Sequence, residues 1–109
     1  LSAPSAKAHL VNNLIWDDGR KLRKMTLMPA QRLETVAPQM ASKGRVQVGA
    51  DADLTLFDPA RVIDLATYDA PDQFSAGIRH VLVAGTFVVR DEALVDGVAP
   101  GQAIRGQTP

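Results

Sequence analysis

The sequence contains no cysteine, which excludes disulfides, thiol nucleophiles and thiolate metal sites. Aromatic residues make up only 5% of it. Charge of one sign is missing too: 12 basic residues face 12 acidic ones. No electrostatic footprint is left for nucleic acid or an anionic membrane surface, and neither is expected as a partner. No apolar run approaches the roughly 18 residues needed to cross a bilayer. The stretch up to Trp16 lacks the charged-then-apolar order of a signal peptide. The expected setting is therefore cytoplasmic.

What is present suits one domain: 109 residues, 46% of them hydrophobic. That length is below a complete (β/α)8 barrel. Apolar Leu10, Val11, Leu14 and Ile15 form one stripe of a helix that Ser5 can cap. Asp17-Asp18-Gly19 interrupts it, and Arg20 to Met25 make a second helical piece. Thr26-Leu27-Met28-Pro29-Ala30 starts a further helix, with Leu33, Val36 and Ala37 as its apolar face and Pro38 as its stop.

Beyond Gly44 the apolar period changes from helical to two. Val46 and Val48 alternate with Arg45 and Gln47, and Leu54 and Leu56 with Asp53 and Thr55. A hairpin turning at Gly49-Ala50-Asp51-Ala52 is the expectation. Ile78-Arg79-His80-Val81-Leu82-Val83 and Thr86-Phe87-Val88-Val89-Arg90-Asp91 form a second hairpin around Ala84-Gly85. Leu94-Val95 extends it, and Ala103-Ile104-Arg105 supplies a last edge strand. The fold class is α+β: N-terminal helices over residues 1–42, then a small antiparallel β-sandwich or sheet over 43–109.

No arrangement of residues makes a convincing active site. A zinc centre needs three or four ligands, usually at short spacing, and His9 and His80 have no such neighbours. They read as a polar helix position and an outward-facing strand residue. Asp51, Asp53 and Asp58 lack a calcium-loop pattern, and Asp51 reads as a turn aspartate accepting hydrogen bonds from turn amides. Ser42 and Ser75 have no nucleophile-elbow context. Arg20, Lys21, Arg23 and Lys24 read as a solvated helix face. No catalytic, cofactor-binding or metal-ligating residue is assigned.

Several segments together nevertheless resemble a known family. Thr26-Leu27-Met28-Pro29-Ala30-Gln31-Arg32-Leu33 is similar to a late barrel helix of metal-dependent amidohydrolases. Lys43-Gly44-Arg45-Val46, Val48-Gly49-Ala50-Asp51-Ala52-Asp53-Leu54, Phe57-Asp58-Pro59-Ala60 and Ile78-Arg79-His80-Val81-Leu82-Val83-Ala84-Gly85 resemble the segments that follow it. Ala66-Thr67-Tyr68-Asp69-Ala70-Pro71 with Gln73-Phe74 narrows the likeness to the D-aminoacylase branch, the N-acyl-D-amino-acid deacylases. The likeness covers about residues 22 to 105, with 22–37 resembling the end of the barrel. It implies a C-terminal segment of an enzyme whose barrel carries zinc, histidine ligands and a general-base aspartate that would lie before Leu1. No catalytic position falls within the chain, so inactivity alone is expected. The implied partner is the missing barrel or a second copy of this chain, and a standalone oligomeric domain is the alternative. A small hydrolase using His80 and nearby aspartates is the remaining option. Residues 1–21 depart from the family pattern, which points to a rearranged or truncated gene. Asp91-Glu92 stands where Asp-Gly is usual, so that turn must adapt.

Overall fold

The computed structural model describes residues 19–107. The helix expected around Leu10 to Ile15, with Ser5 and His9, lies outside the described residues. Two short helices come first, α1 (Arg20–Met25) and α2 (Leu27–Leu33). Pro29 explains the break between them. It has no N–H to give to the Met25 carbonyl and its ring crowds that carbonyl, so the chain bends one residue later. Thr26 takes the bend at φ −123° and ψ −77°. Its hydroxyl donates to the Leu22 carbonyl at 2.7 Å, while its own N–H turns to Arg23 at 3.4 Å.

α2 ends sooner than its apolar pattern indicates. A turn follows Leu33, and Leu33 and Val36 are exposed while Ala37 is buried. The expected apolar face therefore reduces to Ala30 and Ala37. Pro38 stops the preceding turn and opens a 3-10 helix, Pro38–Ser42, where a loop or short helical turn through Gln39–Lys43 is the expectation from sequence.

Four strands follow: β1 (Leu54–Phe57), β2 (Ile78–Val83), β3 (Thr86–Arg90) and β4 (Ala93–Leu94). They form one antiparallel sheet in the order β1-β2-β3-β4. The fold is α+β, as expected. Thr55, Val81, Val89 and Leu94 pair in sequence across the whole sheet. A register shift between Val81 and Leu82 lets Leu82 pair with Phe87, leaving Val88 as the extra residue of a bulge.

The turn between β2 and β3 has positive φ at Ala84 and Gly85, 50° and 78°. The turn between β3 and β4 repeats this at Asp91 and Glu92, 50° and 67°. Two consecutive left-handed residues match the right-handed twist of the flanking strands. Asp91-Glu92 thus adapts by adopting the backbone that Asp-Gly would take more cheaply. Leu94 does not extend β3; it returns alongside it in β4.

Two expected strands do not form. Residues 45–48 run as a loop with Val46 and Val48 87% and 104% exposed, although the turn itself closes through Ala50 N–H to Gln47 O at 3.1 Å. Alternation specifies which side a strand residue faces, but a strand exists only where a neighbour takes its backbone hydrogen bonds. No described strand lies beside 45–48 or beside Ala103, Ile104 and Arg105. Among the described residues no large side chain is fully buried. No described helix is long and apolar enough to cross a membrane.

Candidate functional site

The densest polar constellation lies where the 3-10 helix gives way to the sheet. Lys43 follows Ser42 in extended conformation and is held by its N–H to the Met40 carbonyl at 3.1 Å. Its ammonium reaches Asp53 Oδ2 at 2.5 Å and Asp51 Oδ2 at 2.9 Å. Asp53 Oδ1 accepts the Ala84 N–H at 2.9 Å, and Gly85 donates to the Ala52 carbonyl at 3.0 Å. Asp51 N–H donates to Ser42 O at 2.9 Å. One lysine thus ties the segment before β1 to the helical side, and one aspartate ties the same segment to the β2–β3 turn.

The charges respond to each other. Hydrogen bonds from Lys43, then from the Ala84 amide, hold the Asp53 carboxyl below its ordinary range. Lys43 does the same for Asp51. Asp53 first and Asp51 second raise Lys43. Asp51 accepts from a side chain, not from turn amides as its sequence context indicated. The Asx role belongs instead to Asp58, whose Oδ1 accepts the Ala60 N–H at 3.0 Å.

A second tie lies next to it. Arg45 reaches Glu34 Oε2 at 3.3 Å and donates to the Lys43 carbonyl at 2.9 Å. Gly44, at φ 69°, lies against Thr26 and Ala30 of the helical bend. Residues 43–45 are therefore fastened to the helices.

His80 is half-buried, not outward-facing. Its Nδ1 accepts the Asp91 N–H at 3.1 Å, and its ring meets Phe87 edge-on at 5.5 Å. That is a strand histidine anchoring a turn. The aspartate beside it is Asp91, and neither Asp51 nor Asp53 is its partner. The Ser42 hydroxyl donates to Gln39 O at 3.1 Å. No acid–base pair of a hydrolytic site is assembled from these groups.

Over the sheet lies an open groove of about 600 Å³, lined by Thr55, Phe74, Ile78, Val81, Val89 and Leu94. Its chemistry is mainly apolar, with Thr55, Ser75 and Glu92 as the polar groups of its lining. Glu92 accepts the Gly77 N–H at 3.2 Å and faces Arg61 at 3.3 Å.

Metal chemistry would require a convergent donor set. Among the described residues, no group of three His, Asp or Glu side chains is placed to hold an ion. The carboxylates nearest to such an arrangement, Asp51 and Asp53, are already neutralised by Lys43. The described residues therefore do not fit a metal centre.

No protein-family model matches the chain. Individual relatives do. The N-acyl-D-glutamate deacylase of Alcaligenes xylosoxydans xylosoxydans is 49% identical over 65 residues, covering 60% of this chain and 12% of the enzyme. The D-aminoacylase of the same organism is 41% identical over 70 residues, covering 64% of this chain and 13% of that one. Two solved D-aminoacylase structures superpose with a TM-score of 0.69 at 31% identity, covering 87% of this chain and 21% of theirs. One is described as defining a novel subset of amidohydrolases and the other by its binuclear metal center. The chain thus spans only a small share of the relatives it matches. By sequence and by fold it is a segment homologous to the D-aminoacylase-type amidohydrolases.

Proposed function

We propose that this chain is the C-terminal part of an amidohydrolase acting on N-acyl-D-amino acids, non-catalytic unless joined by a metal-bearing barrel. In this reading residues 1–42 are a helical segment, with 22–37 closing the barrel, and 43–109 are the accompanying β domain. The observation that carries it is the coverage: most of this chain aligns with no more than 21% of each D-aminoacylase structure. The chemistry of the described residues is consistent with it, since their charged groups pair with one another instead of converging on a reaction centre.

The test is an assay of the 109-residue chain with N-acyl-D-glutamate, N-acyl-D-aspartate and N-acyl-D-methionine, with and without added zinc. No turnover above the buffer blank is expected from the chain alone. Metal-dependent release of the free amino acid by this chain would overturn the reading.

A second reading, a standalone domain that self-associates, is favoured by one feature. Leu94 at 60% and Phe74 at 76% exposure stand beside half-buried Val81 and Val89 on the same groove. A continuous apolar surface of this kind is normally covered. Sedimentation velocity separates the two readings: a concentration-dependent dimer or larger species supports self-association, and a monomer across the range removes it.

A further inference from the structure

None of the described helices packs against a described strand. Polar ties join the helical segment to the rest of the chain. These are the Lys43 pairs with Asp51 and Asp53, the Asp51 N–H to Ser42 O, and, at the far end of the chain, the Gln107 N–H to Val36 O at 2.8 Å. Between the anchored 43–45 segment and Asp51 the backbone loops out into solvent. Gly49 there sits at φ 86° with no atom within 4 Å of a side chain built on it. Such a loop offers a hinge: its turn is held locally by Ala50 N–H to Gln47 O, and the exposed Val46 and Val48 carry little packing that rotation would break.

We propose that Lys43, Asp51 and Asp53 form a charge clasp that closes this hinge and holds the sheet in one orientation relative to the helical segment. Lys43 is the pivot because it bridges both aspartates from the helical side. Asp53 is the transmitter, since its second oxygen grips the Ala84 amide and passes the constraint to the β2–β3 turn. The backbone pair Gly85 to Ala52 keeps β1 and that turn together whether or not the clasp is closed. Opening it therefore frees the sheet as a body without dismantling it. Exposed ion pairs of ordinary geometry contribute little to stability, so the clasp acts on orientation more than on folding.

The absence of native cysteine allows a direct measurement. Spin labels are placed on the full chain at two exposed positions, Lys24→Cys in α1 and Arg79→Cys in β2, and the distance distribution is read by pulsed electron paramagnetic resonance. One narrow distribution is expected with the clasp intact. Lys43→Met and Asp53→Asn should each broaden it by roughly twofold or more, and Lys43→Arg should keep it narrow. Hydrogen exchange supplies the second readout. The Ala84 amide should exchange roughly tenfold faster in Asp53→Ala, which removes its acceptor, while the Val95 amide, bonded to Val88 O inside the sheet, is unchanged. An unaltered distribution would mean that the backbone bonds, Asp51 to Ser42 and Gln107 to Val36, set the orientation and would overturn the proposal. Equal acceleration of Ala84 and Val95, or loss of the sheet in both variants, would overturn it as well, because the cluster would then be a determinant of folding.

Discussion

Gly44 lies so close to Thr26 that a side chain at position 44 would overlap the Thr26 carbonyl, its first carbon coming 2.8 Å from the carbonyl carbon and 2.9 Å from the Ala30 methyl. Its φ of 69° excludes most other residues independently. The glycine after Lys43 is therefore a requirement of the helix–loop junction, and it positions the lysine that reaches the two aspartates.

Gly44→Ala should destabilise the chain by about 2 kcal/mol or more, since the contacts are backbone and a buried methyl that cannot move aside. Gly49→Ala is the control. It shares the positive φ but meets nothing, so only the conformational cost of about 1 kcal/mol applies. Urea denaturation of the two variants side by side checks the difference.

The turn at Ala84-Gly85 carries a removable strain. Alanine at φ 50° pays for a left-handed backbone that asparagine tolerates, and Asn-Gly is the preferred pair for this turn. Ala84→Asn should raise stability by about 0.5–1 kcal/mol, seen as a higher melting temperature.

The neighbouring turn behaves differently. Glu92→Gly relieves the same strain but removes the acceptor of the buried Gly77 N–H and the partner of Arg61. A net loss of about 1 kcal/mol is expected, whereas Asp91→Asn, which leaves those contacts, should be neutral or slightly stabilising. A gain in melting temperature for Glu92→Gly would contradict the role assigned to its carboxylate.

Strong acid should weaken the Lys43 cluster. The Asp51 and Asp53 pKa values are lowered on folding, so their contribution is present above the unfolded value, about 3.9, and is lost as pH falls through the folded ones. The Lys43 pKa is raised, so its contribution is full below about 10.4 and disappears as pH rises through the folded value. Between these limits the cluster adds no pH dependence. Stability measured from pH 2 to 6 should decline less steeply in acid for Asp53→Asn than for the parent chain.

Zinc should leave the melting temperature of the chain unchanged within error, as the proposed non-catalytic role requires. Ligand binding to the native state alone would raise it by mass action, so a zinc-dependent increase would reveal a donor set that the described residues do not form.

Local chemistry made much of the chain legible. The break at Met25 and Thr26 follows from Pro29, whose missing N–H and crowding ring act on residues within one turn. The strand Ile78–Val83 and its partner Thr86–Arg90 follow from β-branched runs on either side of a two-residue turn. The family resemblance was legible for the same reason: Gly44 and Gly85 sit at left-handed backbone positions that glycine fills most cheaply, and Asp53 carries the side-chain bonds to Lys43 and Ala84. Tertiary structure decided the rest. Val46 and Val48 have the same alternation as Leu54 and Leu56, yet only the latter pair has a neighbouring strand, and a strand is a property of two segments and not of one. Leu94 belongs to a separate strand because Asp91 and Glu92 accept left-handed backbone, an outcome that neither residue type specifies. The role of Asp51 and Asp53 depended on Lys43, which the hinge at 46–50 brings back to them. Sequence determined which residues could turn, bend or pair; contact between distant segments determined which of them did, because a backbone hydrogen bond or an ion pair exists only when both partners arrive.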